Sequence, residues 1–158
     1  MRHLIWGLAM CLVSIPVLHG QQAPTLGPSR PSLEGPTNTR IANPRRLVKM
    51  RKVYIERIDH NLNVKLADDI AHVSWLKVVD NEDEADAIVR GTCFDLRRLK
   101  RLHAEVYISD RVTGKSIWQD VVRVPYDPAA LQKAVDQAAS DILAHLNESM
   151  HAAAAAKR

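Results

Sequence analysis

The chain has 158 residues, a quarter of them charged, and a formal net charge of +4 at pH 7. Loss of Arg2 with a cleaved leader lowers this charge to +3, which is too mild to indicate a nucleic-acid-binding protein. Residues from about 47 to 150 are long enough for one small core, and a second domain of ordinary size does not fit.

The first twenty residues have the pattern of a signal peptide. A positively charged start precedes an apolar run from Leu4 to Leu18. A membrane span needs about 20 apolar residues, and Pro16 and the polar residues after the run end it too early. We therefore predict export to a periplasmic or outer-membrane-associated location, with the signal peptide (residues 1–20) removed near Gly20.

Two alternatives would keep the chain attached to a membrane. The apolar run can remain as an uncleaved anchor, or Cys11 in LAMC can be the lipid-modified cysteine of a lipoprotein. Met10 is large where a lipoprotein signal has a small residue, and the apolar run continues beyond Cys11. The pattern therefore favours simple cleavage.

Residues 21–45 form a proline-rich segment with few large apolar side chains. Such a composition buries too little surface to offset the entropy lost on ordering, so it predicts a flexible, extended linker. Two interpretations stay open for it: a tether that holds a domain away from its attachment point, or an idle leader.

The first predicted strand is the alternating segment LVKMRKVYIERI, residues 47–58. A helix follows, with Asp59 or Asn61 as its N-cap, because apolar residues then recur at spacings of three and four. Those apolar residues are Leu62, Leu66, Ile70 and Val73. WLKVVD, residues 75–80, predicts a short second strand, and an acidic turn follows it.

The stretch EDEADAIVRGTC passes from a solvated acidic turn into a buried third strand. Residues 81–86 are poor strand formers, whereas residues 87–89 favour a sheet, and Gly91 permits close backbone packing or a bulge. Cys93 is the one cysteine left after cleavage, so the mature chain forms no internal disulfide. We expect Cys93 to be a small buried hydrophobe, since a redox role requires exposure and a lowered pKa.

A β-hairpin comes next. LHAEVYIS, residues 102–109, alternates apolar and polar side chains, as a half-buried antiparallel strand does. DRVTG then predicts a hairpin turn in which Gly114 takes a positive φ, and KSIWQDVVRV is the returning strand that Pro125 stops. Trp75 and Trp118 lie on predicted strands and are expected in the core.

Asp127 and Pro128 predict the start of the last helix, as its N-cap and its first residue. One face of this helix carries Leu131, Val135, Ala138, Ile142 and Leu146. Residues 151–158 lack large apolar side chains, so we expect a frayed tail. The predicted fold is α/β (α+β): a single small domain over residues 46–150, in β-α-β-β-β-β-α order, with a mixed sheet and two helices packed on one face.

Two stretches resemble a group of bacterial envelope domains. EADAIVRGTC is similar to the entry strand of that group, and AEVYISDRVTGKSIWQDVV to the strand, Asp-x-x-Thr-Gly turn and strand that follow. The group includes the amino-terminal domain of TolB, the CsgG-like curli-secretion lipoproteins and the penicillin-binding-protein activator LpoB. The resemblance covers about residues 50 to 147 and implies a non-enzymatic module that binds other envelope proteins. The chain has no propeller after the module, unlike TolB, and no credible lipobox, unlike the lipoproteins, which leaves its partner and anchoring open.

No pattern in the sequence is typical of a catalytic or metal site. DNEDEAD, residues 80–86, begins like a calcium loop, but Ala85 stands where glycine is needed and Gly91 where the closing glutamate belongs. Ser109 and Ser116 lack the glycines of a nucleophile elbow. The histidines show no ligand spacing and no cysteine cluster beside them; they are His60, His72, His103, His145 and His151. We predict no catalytic residue, no metal and no cofactor, and a protein that is not an enzyme.

The candidate interaction site is the loop LRRLKRLH between two predicted strands. Its residues are Arg97, Arg98, Leu99, Lys100 and Arg101. A solvated hairpin loop is the simpler interpretation, but four cations so close together repel one another, which favours an anionic counterpart. The predicted function is an envelope protein-interaction module, an accessory subunit of a secretion, cell-wall or lipid-transport assembly. The alternative is a small binding or sensing domain for an anionic lipid or polysaccharide of the envelope.

Overall fold

The computed structural model describes residues 39–156, so the predicted signal peptide, most of the predicted linker and the last two residues lie outside the described part. Six strands and three α-helices form within it. The strands are β1 (Arg40–Ile41), β2 (Lys52–Ile55), β3 (Lys77–Val78), β4 (Ala87–Leu96), β5 (Arg101–Asp110) and β6 (Ser116–Pro125). The helices are α1 (Pro44–Lys49), α2 (Leu62–Ala71) and α3 (Leu131–Ala155). None of the helices between residues 39 and 156 is long and apolar enough to cross a membrane.

The strands form one mixed sheet in the order β1-β6-β5-β4-β2-β3. β2 pairs in parallel with β3 and β4, whereas β4, β5, β6 and β1 pair antiparallel. The turn between β5 and β6 has Gly114 at a φ of +65°, which confirms the predicted hairpin. α2 and α3 pack side by side, and the main core joins both helices to the sheet. The predicted fold class is confirmed.

The strand alternation places the core on the helix-covered face. On β5 the predicted apolar face is buried, with Leu102, Ala104, Val106 and Ile108 all at 2% exposure or less. Gly91 on β4 lies so close to β5 that an added Cβ would stand 2.5 Å from the backbone oxygen of Glu105. The predicted close backbone packing at this glycine is therefore present.

The amino-terminal part of the described chain differs from the prediction. β1 and the start of α1 fall within residues 21–45, which the composition assigned to the linker. α1 begins at Pro44, and the Asn43 side chain caps it by accepting a hydrogen bond from the backbone N–H of Arg46 at 3.1 Å. Residues 47–49, predicted as strand, are helical, and Leu47 is fully buried.

Two other boundaries also differ. α2 ends at Ala71, so Val73 is not on the helical face where its spacing placed it, and Asn61 at the N-cap makes no side-chain capping bond. α3 continues to Ala155 through most of the predicted frayed tail. α1 packs against α3, and Val48 of α1 lines the same groove as Ala153, which gives this end of α3 a packing partner.

Acid is expected to weaken the β5–β6 turn through Asp110. The carboxylate, 6% exposed, accepts hydrogen bonds from the backbone N–H groups of Val112 and Thr113 and pairs with Arg46. The backbone bond from Thr113 is the largest cause that lowers the pKa of Asp110, and the Thr113 hydroxyl and Arg46 lower it further, against an opposing effect of burial. A lowered folded-state pKa adds stability above the unfolded value of about 4, and this is lost as pH falls through the folded value.

The measurement compares melting temperatures of the wild type and Asp110→Asn between pH 6 and pH 2. We expect the variant to be less stable at pH 6 and the difference to shrink as the pH falls below about 4. A difference that stays constant over this range would show that the Asp110 charge does not stabilise the turn.

Candidate functional site

The face of the sheet opposite the helices is the candidate site, and its two ends differ. Near the start of β4, residues of this face are buried together with residues of the chain between β3 and β4. Ile88 pairs with Tyr54 on β2 and Ser109 on β5, and paired residues point to the same face, so Ile88 lies on the face opposite the helices. It is nevertheless only 3% exposed. Val79 and Ala85 of that connecting chain are buried as well, outside the main core. This end is therefore closed.

The other end of the same face is open. Phe94 and Leu96 on β4 are 49% and 39% exposed, and Tyr107 on β5 is 38% exposed. The rings of Phe94 and His103 stack with centroids 6.4 Å apart and planes at 30°. Phe94 and Leu96 alternate with the buried Cys93, so their side chains lie on the opposite face of β4. Two large apolar residues at alternate positions after Cys93 are the signal in the sequence that could have predicted this exposed apolar pair.

The predicted basic loop borders this open end. It joins β4 to β5 as a short 3₁₀ turn, Arg97–Leu99, followed by Lys100 at a φ of +47°. The carbonyl of Lys100 accepts the backbone N–H of Tyr126 at 3.0 Å, which ties the loop to the end of β6. Leu99 is 67% exposed, so an apolar side chain projects among the cations.

The four cations of the loop are not equivalent. Arg97 Nε donates to Asp95 Oδ2 at 2.7 Å, and the Tyr126 hydroxyl donates to the other oxygen of the same carboxylate. The bond from Tyr126 is the largest cause that lowers the pKa of Asp95, and Arg97 adds to it. Burial and then the hydrogen bond to Asp95 raise the pKa of Tyr126. Within residues 39–156, Arg98, Lys100 and Arg101 join no ion pair. The net positive charge of the loop therefore comes from these three.

These residues are neighbours on the ends of β4 and β5 and on the loop that joins them, and the strip is called here the basic-aromatic surface. It consists of Phe94, Leu96, Arg98, Leu99, Lys100, Arg101 and His103. Apolar side chains lie beside uncompensated cations on a strand pair held from behind by the core. Such a strip offers apolar contact together with positive charge to an incoming partner.

A buried polar group between β6 and α3 was missed by the sequence interpretation. Asp120, fully buried, accepts a hydrogen bond from the Thr39 hydroxyl at 2.7 Å and faces His145 Nδ1 at 2.7 Å. The Thr39 hydroxyl donates to the carboxylate and not to the imidazole, so the three groups do not form the hydroxyl–histidine–acid relay of a hydrolase. The arrangement joins the start of β1, β6 and α3.

The acidic segment that resembles a calcium loop uses its polar atoms within the fold. Asp86 Oδ2 accepts the backbone N–H groups of Arg51 and Lys52 at 2.9 and 3.0 Å, and Asn81 Oδ1 accepts the N–H of Asp83. Across residues 39–156, no group of three histidine, cysteine or acidic side chains is placed to hold a metal ion. Asp86 and Asn81 therefore hold the turn that leads into β4.

Cys93 is 1% exposed, which confirms its predicted burial. Trp118 is fully buried, and Trp75 packs partly buried against the core. Burial is the main cause that raises the pKa of the Cys93 thiol to about 11. These observations agree with a thiol that serves as core packing.

We expect a thiol reagent to modify Cys93 only slowly in native buffer. The raised pKa alone lowers the thiolate fraction on the order of 100-fold, and burial blocks access further. The measurement is the labelling rate of a Cys11→Ser variant with and without denaturant, because Cys11 is the other thiol of the chain. A native rate equal to the denatured rate would contradict the burial of β4 beneath the helices.

Comparisons with known proteins show a likeness of fold. No protein-family model matches the chain, and no curated protein matches its sequence. Two structures of the PelC dodecamer from Paraburkholderia phytofirmans match over 70% of this chain, one of them a single-residue variant. The variant matches over 97% of its own length with a TM-score of 0.50 and 10% identity, and the other over 96% with a TM-score of 0.51 and 12% identity. The solution structure of uncharacterized lipoprotein B from Nitrosomonas europaea matches over 60% of this chain and 80% of its own, with a TM-score of 0.31 and 17% identity.

Proposed function

We propose that the chain is a non-enzymatic, exported module of the bacterial envelope that acts by binding another envelope protein. The observation that carries this proposal is the open end of the sheet, where Phe94, Leu96 and Leu99 are exposed beside cations. Exposed apolar groups in one patch mark interaction sites in soluble proteins, and aromatic side chains with arginine are enriched in interface cores. The resemblance to the TolB, CsgG-like and LpoB group supports the same assignment, as an accessory subunit of a larger assembly.

The fold comparison also supports association between copies of this chain. The PelC structures with this fold are dodecamers, so the architecture is compatible with assembly into a many-membered oligomer. We therefore include association of this chain with copies of itself in the proposed function. Contact with a different envelope protein then uses the surfaces that the oligomer leaves open.

One observation favours the alternative, a binding domain for an anionic lipid or polysaccharide of the envelope. Arg98, Lys100 and Arg101 join no ion pair among residues 39–156, and each is exposed. Three neighbouring cations attract phosphate or carboxylate groups, in a manner that added salt screens. The exposed Leu99 between them would then enter the acyl layer of a membrane.

The first test places a photo-crosslinking amino acid at Leu99 in intact cells. Val112, 77% exposed in the turn at the opposite end of β5, is the matched control position. We expect a discrete protein adduct from position 99 and none from position 112. Adducts with lipid or polysaccharide alone from position 99 would support the alternative, and equal yields from both positions would contradict a specific surface.

The second test removes the uncompensated charge of the loop. A variant with Arg98, Lys100 and Arg101 replaced by serine should keep the wild-type melting temperature within a few degrees, since exposed charges contribute little stability. It should bind its crosslinked partner more weakly, and the wild-type interaction should weaken as salt rises. Serine at Arg45, Lys49 and Lys133, three exposed cations outside the surface, is the control. Binding insensitive to both substitution and salt would remove the loop from the site.

A further inference from the structure

The basic-aromatic surface has a neighbour on β6. Residues that pair across adjacent strands point to the same face of a sheet, so the pairing of β4, β5 and β6 sorts their side chains into rows. Val122 and Val124 on either side of Arg123 are buried in the core, so Arg123 points to the open face. The first row is Phe94, His103 and Arg123, and the second is Leu96, Arg101 and Pro125.

Arg101 and Arg123 are diagonal neighbours in these two rows. Arg101 pairs with Pro125, two residues after Arg123, which places the Cβ atoms of the two arginines about 7 Å apart. Arg101 is exposed and Arg123 is half-buried, and neither joins an ion pair with another described residue. Two guanidinium groups at this separation repel one another, and a carboxylate between them pairs with both.

The open face supplies little negative charge against these arginines. Among the residues that β4, β5 and β6 direct to this face, Glu105 is the acidic one. A hydrogen bond to Glu105 is the largest cause that raises the pKa of Tyr107, and no ion pair joins Glu105 to Arg123 within the part of the chain that the structure describes. Arg90, further back on β4, is neutralised by Glu56 at 2.7 Å. The rows that contain Arg101 and Arg123 therefore keep a positive charge.

Other parts of this sequence are poor occupants of the two rows. Residues 21–38 contain one arginine and one glutamate, so they bring no net negative charge. A second copy that presents the same face brings the same cations, which repel. The acidic turn of a second copy, residues 80–86, has carboxylates, but its apolar side chains, Val79 before it and Ala85 within it, are buried. Charge and polarity together therefore favour a foreign occupant.

The mixture of side chains in the rows favours a protein segment over a lipid or a polysaccharide. Phe94 and Arg123 lie in the same row, so apolar and charged groups project side by side. A bilayer separates its phosphates and its acyl chains by depth instead. A polysaccharide has no aliphatic side chains to cover Leu96 and Leu99, which are 39% and 67% exposed. An acidic protein segment carries carboxylates and apolar side chains next to one another.

We propose that the partner of the basic-aromatic surface docks through an acidic segment with apolar side chains, one of whose carboxylates lies between Arg101 and Arg123. This inference rests on the protein partner of the proposed function and assigns the chemistry of the segment which that partner presents. An apolar side chain beside the carboxylate packs on Phe94 and Leu96, so the segment crosses the ends of β4, β5 and β6. Arg123 thereby joins the binding surface.

The first experiment places a photo-crosslinking amino acid at Val121 in intact cells that express the full sequence. Val121 is half-buried in the row next to Arg123, so this position keeps both arginines. We expect it to capture the same protein as position 99, through a segment in which mass spectrometry finds carboxylates and apolar side chains a few residues apart. A crosslinked segment without aspartate or glutamate, or a crosslink to residues 21–38 or to a second copy, would overturn the inference. Capture of a foreign protein at Leu99 would still support the proposed function in each of these cases.

The second experiment reverses the charge of the two arginines. In a chain with Arg101→Glu and Arg123→Glu, we expect the yield of the protein adduct from position 99 to fall at least about tenfold. Arg45→Glu with Lys49→Glu, at two exposed cations of α1, changes the net charge equally and should leave the yield within about twofold. Lysine in place of the mapped acidic residues of the captured protein should restore the yield with the reversed chain.

An unchanged yield from the reversed chain, or an equal fall in the α1 control, would show that Arg101 and Arg123 do not bind the partner's carboxylate. Melting temperatures of both variants report whether they fold. The crosslink from Val121 is made in an otherwise wild-type chain, so it tests the inference even when the reversed chain does not fold. Adducts with lipid or polysaccharide alone from both positions 99 and 121 would reject the inference together with the protein partner.

Discussion

Replacing Trp118 with alanine is expected to lower the free energy of unfolding by about 3–5 kcal/mol. Trp118 is the largest fully buried side chain of the described residues, on the helix-covered face of β6. Its indole Nε1 donates to Ser149 Oγ of α3 at 2.9 Å, so the substitution opens a cavity and also leaves the buried Ser149 hydroxyl without this partner. The measurement is equilibrium unfolding in urea, followed by circular dichroism.

Trp75 provides a matched control for this prediction. Its Nε1 donates to Asn147 Oδ1 of the same helix at 2.8 Å, but its side chain is only partly buried at the margin of the core. Trp75→Ala therefore loses a similar hydrogen bond with less apolar burial, and we expect a smaller destabilisation than for Trp118→Ala. If the two variants lose equal stability, or if Trp75→Ala loses more, burial of Trp118 is not what joins α3 to the sheet.

The elements predicted well from the sequence are those whose signals are local. Residues 102–109 alternate strictly, and Gly114 stands where the turn needs a positive φ, so neighbours in sequence determine the β5–β6 hairpin. The last helix lies directly after its local signals, since the Asp127 side chain accepts the N–H of Ala129 and Pro128 follows this cap. These residues start a 3₁₀ turn, Pro128–Ala130, and α3 itself begins at Leu131, three residues later than predicted. These elements could therefore be predicted without knowledge of their tertiary contacts.

The elements predicted poorly depend on distant contacts. β1 is two residues long and forms by pairing with the edge of β6, a contact that no local sequence pattern indicates. The Asn43–Pro44 helix start was present in the sequence, but the surrounding prolines favoured a linker. The carboxyl-terminal alanines were assigned to a frayed tail because their packing partner, α1, was not predicted.

The candidate site was only partly predictable for the same reason. The loop and its exposed leucine follow from the sequence, since charge and polarity are local properties. That Asp95 neutralises Arg97 while accepting a bond from Tyr126 depends on the pairing of three strands. The partnership of Asp120 with His145, which lies 25 residues away on another element, has no local signal at all.

His145→Ala is expected to lower the free energy of unfolding by about 1–3 kcal/mol, less than Trp118→Ala but more than the remaining substitutions. Asp120 is fully buried, and its carboxylate has two partners, His145 Nδ1 and the Thr39 hydroxyl. Removal of the imidazole leaves one oxygen of a buried carboxylate without its partner, which costs the full desolvation of that oxygen. The free energy of unfolding in urea at pH 7 measures the loss.

A double-mutant cycle with Asp120→Asn distinguishes this cause from simple loss of packing. The asparagine keeps the shape of the aspartate but carries no charge, so it tolerates the absence of His145 at a lower cost. We therefore expect His145→Ala to cost less in the Asp120→Asn background than in the wild type, by at least about 1 kcal/mol. Equal costs in both backgrounds would mean that His145 stabilises the fold through the volume of its ring. In that case the pair would not be the polar connection that fixes α3 and the start of β1 to β6.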